Sequence, residues 1–164
     1  MEIVLFGGSF DPPTMGHLLV VAHLLATEPS DEVWMVPVFE HPFGKKLVGS
    51  FDLRVELCEL ALRSVPLPRA KVSRAEADLK GEGRTVDLLA DQAQWKRFDR
   101  IRELARIIVL RRAGYDAQGT PGILLPEVSS TQVRALLAAG ADVRGLLPRA
   151  VAERVVNKPP YRPG

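Results

Sequence analysis

The chain has 164 residues, a formal net charge of +2 and one cysteine, Cys58. That length fits a single domain that buries about two-thirds of its unfolded surface, and a lone thiol excludes an internal disulfide or a cysteine-rich zinc site. Basic and acidic residues are interspersed and no apolar run approaches the ~18 residues of a membrane span, so composition demands neither nucleic acid nor membrane as a partner.

The start, MEIVLFGGSFDPP, has no basic leader and breaks into glycine and proline too early for a signal peptide, which leads us to expect a soluble, cytoplasmic protein. Glu2 to Phe6 reads as a strand that stops at Gly7-Gly8, and Gly16 to Ala26 carries Leu18, Leu19, Val21, Ala22 and Leu25 at near-helical spacing. Val33 to Val38 is a second buried strand. Phe51 to Ser64 is a helix with Leu53, Leu57, Leu60 and Ala61 on one face, Ser50 as its cap and Cys58 in its core pattern. Ala70 to Ser73 is a weaker third strand, Phe98 to Ala105 a helix, and Ile107 to Leu110 and Ile123 to Leu125 are further strands. A last helix spans Arg149 to Val156, and Lys158 to Gly164 reads as an extended tail. This alternation predicts a Rossmann-like, doubly wound parallel α/β sheet with helices on both faces, a C-terminal helical segment, and one domain over residues 1–164. In such sheets ligands sit beyond the carboxyl ends of the strands.

Gly7 to His17, GGSFDPPTMGH, joins the first strand to the first helix, where unpaired N–H groups and the helix dipole favour an anion, phosphate above all. Gly7 and Gly8 allow close approach of backbone to a ligand, and Pro12 and Pro13 leave Thr14 and His17 at the helix entry. Taken alone, Thr14 is either a plain cap or a phosphate ligand, and His17 either an exposed first-turn residue or a donor. A cationic histidine is disfavoured by the dipole at that end, and a phosphate would supply the compensation. The loop is neither a GxGxxG nor a Walker motif.

Val128 to Gly140, VSSTQVRALLAAG, is a second place of this kind. Ser129 or Ser130 can cap a helix whose apolar face carries Val133, Leu136 and Leu137. Arg134, on the first turn, opposes the dipole unless an anion lies between, and its forked guanidinium matches phosphate oxygens; the alternative is a solvated arginine after an ordinary cap.

Thr14-Met15-Gly16-His17 fulfils a (T/H)xGH signature, and with the preceding GGSFDPP and the run Val128 to Arg134, close to ISSTxxR, the sequence resembles the nucleotidyltransferase superfamily. The resemblance implies in-line attack on the α-phosphorus of ATP, departure of pyrophosphate, and a histidine that stabilises phosphate oxygens without covalent attachment. It assigns ATP to Gly7, Gly8, Ser9, Phe10, Thr14, His17, Ser129, Ser130, Thr131 and Arg134. Within that set Ser130 and Thr131 take the β/γ-phosphates and Arg134 the leaving pyrophosphate. Mg²⁺ is expected to bridge ATP oxygens with few protein ligands.

Val36-Pro37, Arg54 to Ala61, Gly83 to Leu89, Trp95 to Phe98 and Leu147-Pro148 resemble bacterial nicotinate-nucleotide adenylyltransferases over nearly the whole chain. The implied acceptor, in NAD biosynthesis, is nicotinate mononucleotide or its amide analogue. Thr85 would lie beside the pyridine substituent, Trp95 would stack on the ring, and Lys45, in the His41/Lys45 H-x-x-x-K spacing, would reach a substrate phosphate. The catalytic set so implied is His17, Thr14, Lys45 and Arg134. By themselves Thr85 is equally a helix cap, Trp95 a packing aromatic and Lys45 a solvated lysine. His23 has no motif counterpart and is read as structural. A homo-oligomer is left open. The nearest enzymatic rival is phosphopantetheine adenylyltransferase, whose T-x-G-H form Thr14 resembles. A rival of another class is a nucleotide-binding protein without turnover.

The resemblance breaks between Thr85-Val86-Asp87 and Trp95, where the family carries a helix, a central strand and a GxD-like turn that orients ribose. Leu88 to Gln94 cannot supply both a helix and a strand, since one helix alone averages about 11 residues. An internal segment is therefore expected to be missing between about 88 and 94, either as a true deletion or as an omission from the sequence as read. Omission is favoured physically, because a lost central strand leaves its neighbours unpaired.

Overall fold

The computed structural model describes residues 1–40, 46–78, 106, 108, 110–112, 124–156 and 160–161. In chain order the elements are β1 (Ile3–Gly8), α1 (Met15–Thr27), β2 (Glu32–Pro37), α2 (Phe51–Arg63), β3 (Ala70–Val72) and the short α3 (Ala75–Asp78). They are followed by β4 (Arg111–Arg112), β5 (Leu124–Leu125), α4 (Ser130–Ala138) and α5 (Arg149–Val156).

β1, β2 and β3 form a parallel sheet in that order, and β4 pairs with β5 in parallel. The register lays Val4 beside Val33 and Val33 beside Ala70, then Phe6 beside Met35 and Met35 beside Val72. Because side chains alternate along a strand, these two rows share one face, and both belong to the apolar cluster packed against α1 and α2 through Val20, Val21, Leu24 and Cys58. The intervening row, Leu5 beside Trp34 and Trp34 beside Lys71, faces the other way. There Glu32 accepts from both the Trp34 indole and Lys71, which holds its carboxyl below the usual range.

A second cluster lies on the far side of α1 and α2: Leu18, Leu57 and Ala61 pack against Val133 and Leu137 of α4 and Val151, Ala152 and Val155 of α5. α2 serves both clusters because its apolar residues wrap more than one stripe, with Leu57 and Ala61 on one side and Cys58 on the other. Burial pushes the Cys58 thiol well above its ordinary pKa, so it stays protonated and packs as a small apolar group. Ser50 caps α2 as expected, accepting from the Leu53 N–H.

Several details differ from the expectations. β1 does not stop at Gly7-Gly8 but runs through both, pairing them with Val36 and Pro37. The absence of a Cβ on Gly8 leaves room for the Phe10 ring, which lies 3.0 Å from where a Cβ would sit. Of the strand expected at Ile107 to Leu110, Ile107 and Val109 lie outside the described residues, Ile108 and Leu110 pack against the sheet core, and the described ladder pairing is at Arg111–Arg112. The four-residue α3 carries too little periodicity to be seen in sequence. The tail after α5 does not simply extend, since Tyr161 returns to the helical core and is buried. The helix expected at Phe98 to Ala105 lies outside the described residues.

Leu57 is fully buried between helices. Leu57→Ala is expected to destabilise the fold by about 2–5 kcal/mol, read as a lower urea midpoint with an unchanged slope; a loss under about 1 kcal/mol would show that this layer is loosely packed.

Candidate active site

The loop between β1 and α1 leaves the carboxyl edge of the sheet at Gly8 and enters α1 through Thr14, the N-cap, which is fully buried. His17, three residues on, folds back over the cap: its Nδ1 lies 2.8 Å from the Thr14 N–H and 2.9 Å from the Thr14 hydroxyl oxygen. A backbone N–H can only donate, so Nδ1 is the acceptor and the ring proton belongs on Nε2. The imidazole is thus held as a neutral donor, and a dipole-opposed cation at the helix entry is avoided. Phe10 packs edge-on against the ring at 5.0 Å between centroids. Phe10 itself is fully buried with φ of 45°, a left-handed conformation that costs a side-chain-bearing residue about 1–3 kcal/mol and persists only where its surroundings fix it. Here the T-shaped contact with Phe6 and the packing on His17 do so.

The N-terminus of α4 is brought to this loop by two contacts across more than a hundred residues of sequence. The Ser130 hydroxyl donates to the Pro12 carbonyl at 2.8 Å, and Arg134 donates from NH1 to the Asp11 carbonyl at 2.5 Å. Ser129, not Ser130, is the cap, accepting from the Gln132 N–H. Arg134 is the fifth residue of α4, just past the first turn where it was expected, and its other terminal nitrogen meets the Thr131 hydroxyl. A third link joins the Met15 N–H to the Leu146 carbonyl. Two helix N-termini, an imidazole N–H, a guanidinium and several hydroxyls therefore converge at one edge of the sheet, an arrangement suited to a polyanion.

Two buried ionic side chains that sequence reading did not single out hold this edge together. Arg54, on α2, is fully buried and donates to three backbone carbonyls, those of Gly49 (3.1 Å), Ser9 (2.9 Å) and Val38 (2.8 Å). Burial lowers its pKa and the Asp11 charge partly restores it. The Asp11 carboxylate, 1% exposed, accepts from Gly49 N–H and the Tyr161 hydroxyl on Oδ1 and from Val48 N–H on Oδ2. The sequence signal was present in the DPP of the loop and in the arginine opening RVELCELA, but neither spacing says where a side chain will be buried.

Thr14, His17, Ser130 and Arg134 thus come together with Phe10 and the loop 7–17, with Ser129 and Thr131 beside them at the start of α4. His23 lies further along α1, where its carbonyl accepts from Thr27. His41, Lys45, Thr85, Trp95 and the stretch 88–94 lie outside the described residues.

The family model described as cytidylyltransferase-like matches residues 5–136. A protein of Anaeromyxobacter dehalogenans strain 2CP-C named "Probable nicotinate-nucleotide adenylyltransferase" is 43% identical over 186 positions, covering 98% of this chain and 97% of the relative. The chain belongs to the nicotinate-nucleotide adenylyltransferase family. A relative of the same name in Myxococcus xanthus is 41% identical over 93% of the chain and 90% of its own length. Among solved structures, the Plasmodium falciparum nicotinic acid mononucleotide adenylyltransferase complexed with NaAD aligns with a TM-score of 0.72 over 94% of both chains at 15% identity, a likeness of fold. The fold is the Rossmann-like parallel α/β arrangement of this adenylyltransferase family. The 186 aligned positions exceed the 164 residues present, so the Anaeromyxobacter relative carries residues for which this chain has no counterpart.

A Cβ added at Gly49 would overlap the Tyr161 hydroxyl and crowd Asp11 Oδ1 at 3.1 Å. Gly49→Ala is expected to lower stability by about 1–3 kcal/mol, the cost of a buried acceptor losing its partner, and calorimetric melting will check it; an unchanged melting temperature would mean that the hydroxyl is not seated on Asp11.

Proposed function

We propose that this adenylyltransferase transfers the AMP part of ATP to nicotinate mononucleotide, forming the dinucleotide and pyrophosphate in NAD biosynthesis, with the amide mononucleotide as the alternative acceptor. The acceptor's phosphate oxygen forms a bond to the α-phosphorus, the bond from that phosphorus to the β-phosphate bridging oxygen breaks, and the electron pair leaves with pyrophosphate. The observation that carries this reading is the convergence of the loop 7–17 with the N-terminus of α4 through Arg134–Asp11 and Ser130–Pro12. The names of the relatives supply the acceptor.

In this scheme the Nε2–H of His17 donates to a non-bridging α-phosphate oxygen as charge accumulates there, with Thr14 fixing the ring. The N–H groups opening α4, the hydroxyls of Ser130 and Thr131 and the Arg134 guanidinium take the β- and γ-phosphates and the departing pyrophosphate. Lys45 is assigned to a substrate phosphate, and Thr85 and Trp95 to the pyridine ring, on the family resemblance alone. Among the described residues no group of three His, Cys, Asp or Glu side chains is placed to hold a metal ion. Asp11, the carboxylate of the loop, is already occupied by backbone amides and Tyr161. Mg²⁺ would come with ATP, held mainly by the nucleotide's own oxygens, where it would offset phosphate charge. No described helix is long and apolar enough to cross a membrane.

A second reading, nucleotide binding without turnover, is favoured by one observation: the relatives carry residues that this chain lacks. The gap expected between 88 and 94 would remove the turn that orients ribose. Incubation with ATP, Mg²⁺ and, separately, nicotinate mononucleotide, nicotinamide mononucleotide or phosphopantetheine, with product identified by mass, decides among these. Dinucleotide from the nicotinate substrate is expected. ATP binding without product would establish the second reading, and product from phosphopantetheine alone would move the chain to another acceptor class.

Two further outcomes are expected of the active enzyme. His17→Ala lowers kcat by roughly 10²–10³-fold, as loss of one preorganised donor does, and also lowers the melting temperature, because the ring packs on Phe10 and bonds the Thr14 cap; turnover close to that of the unmodified chain would remove His17 from the mechanism. Chelation of divalent ions stops pyrophosphate release, and Mg²⁺ added in excess restores it.

A further inference from the structure

Asp11 and a bound phosphate want the same partner. Arg134 Nη1 lies 3.8 Å from Asp11 Oδ2 as well as being bonded to the Asp11 carbonyl, so among the described residues this carboxylate is the ion-pair partner of the guanidinium that the proposed function gives to pyrophosphate. At 1% exposure the carboxylate has no solvent to spread its charge into, and its appetite is set by the donors it already has. Two are the backbone amides of Val48 and Gly49, and the third is the Tyr161 hydroxyl at 2.6 Å. Tyr161 is itself buried, in the cluster with Leu57, Val151 and Val155, so its ring fixes where the hydroxyl points. Burial, together with its bond to Asp11, raises the phenol's pKa, so it remains a donor at every working pH.

We propose that Tyr161 is a positioning residue for ATP: by saturating Asp11 Oδ1 it keeps the carboxylate from drawing Arg134 inward and leaves the guanidinium available to the nucleotide's phosphates. The chain beyond the last helix thereby acts on the triphosphate end of the site without touching it. This rests on the assignment of ATP to the loop 7–17 and α4. Removal of the hydroxyl leaves Oδ1 with the Gly49 amide alone, strengthens the Asp11–Arg134 pair, and weakens the hold on ATP while the acceptor's site is untouched.

The test is Tyr161→Phe, which keeps the ring in the core. Equilibrium binding of Mg²⁺-ATP in the absence of acceptor should weaken about tenfold, the size expected for one hydrogen bond to a charged group. In turnover the KM for ATP should rise by a similar factor, with kcat and the KM for the mononucleotide within about twofold, since the lost contact acts before the chemical step. Because the effect runs through Arg134, it should shrink to under about twofold when measured in the Arg134→Lys background. An unchanged ATP affinity, or an equal effect with and without Arg134, overturns the proposal; the second result would mark Tyr161 as a plain packing residue. Should Tyr161→Phe fail to fold, the unmodified protein still answers. ATP binding and the Asp11 cluster must be coupled reciprocally, so Mg²⁺-ATP should slow hydrogen exchange at the Val48 and Gly49 amides, and identical exchange overturns the proposal. If the unmodified chain binds ATP but makes no dinucleotide, the proposed function fails while the binding measurements still decide the role of Tyr161. If it binds no ATP, both fall.

Discussion

The Asp11 carboxylate sits where a lone charge would be intolerable, and the arrangement of the sheet's carboxyl edge follows from the need to satisfy it. An ionised group withdrawn from water costs several kcal/mol unless its lone pairs are met. Val48, Gly49 and Tyr161 meet them from three directions, which fixes the segment after β2 and the chain beyond α5 against one loop. Arg54 does the converse, presenting one fork to three carbonyls from three segments. A lysine could not do this, because a single ammonium has no planar spread of donors. The pair fixes shape rather than supplying net stability, since buried charges roughly balance their own desolvation.

That rigidity would serve the proposed chemistry, because part of the proposed anion site is backbone. Helix N-termini hold phosphate only if their N–H groups stay aimed at it, and aim is a property of the loops that lead into them. β1 running straight through Gly7 and Gly8, Phe10 in its left-handed conformation and the His17 ring folded onto Thr14 leave that loop little freedom. Preorganised donors of this kind cost no rearrangement at the moment charge moves onto the phosphate oxygens, which is the condition under which they accelerate a reaction. The imidazole fits the same logic, because the Thr14 N–H holds Nδ1 as an acceptor and so places the ring proton on Nε2.

Arg134 shows how a residue can be legible and still be read too simply. Its place near the start of α4 suggested an anion as its counter-charge. In the folded protein its contacts are the Asp11 carbonyl, the nearby Asp11 carboxylate and Thr131, so a nucleotide would enter a site in which the guanidinium already has partners. Binding there is an exchange of partners, and its strength depends on how well Asp11 is served by others.

The sequence by itself determined the parallel α/β architecture, the two helix-entry motifs and the family, because each is written in local terms. The continuous apolar run Val33 to Val38 makes a buried strand, helical spacing in Phe51 to Arg63 makes a helix, and TMGH and SSTQVR carry their caps and donors with them. What only the tertiary structure decided is which groups meet across the chain: Asp11 with Tyr161, Arg54 with Ser9 and Val38, Ser130 with Pro12. The tail around Tyr161 looked extended because proline and glycine flank it, and nothing in its spacing reveals that one ring returns to the core. Local sequence sets local backbone preference, whereas the burial of a charge is settled by partners tens of residues away, and only the closed fold brings those partners within hydrogen-bonding distance.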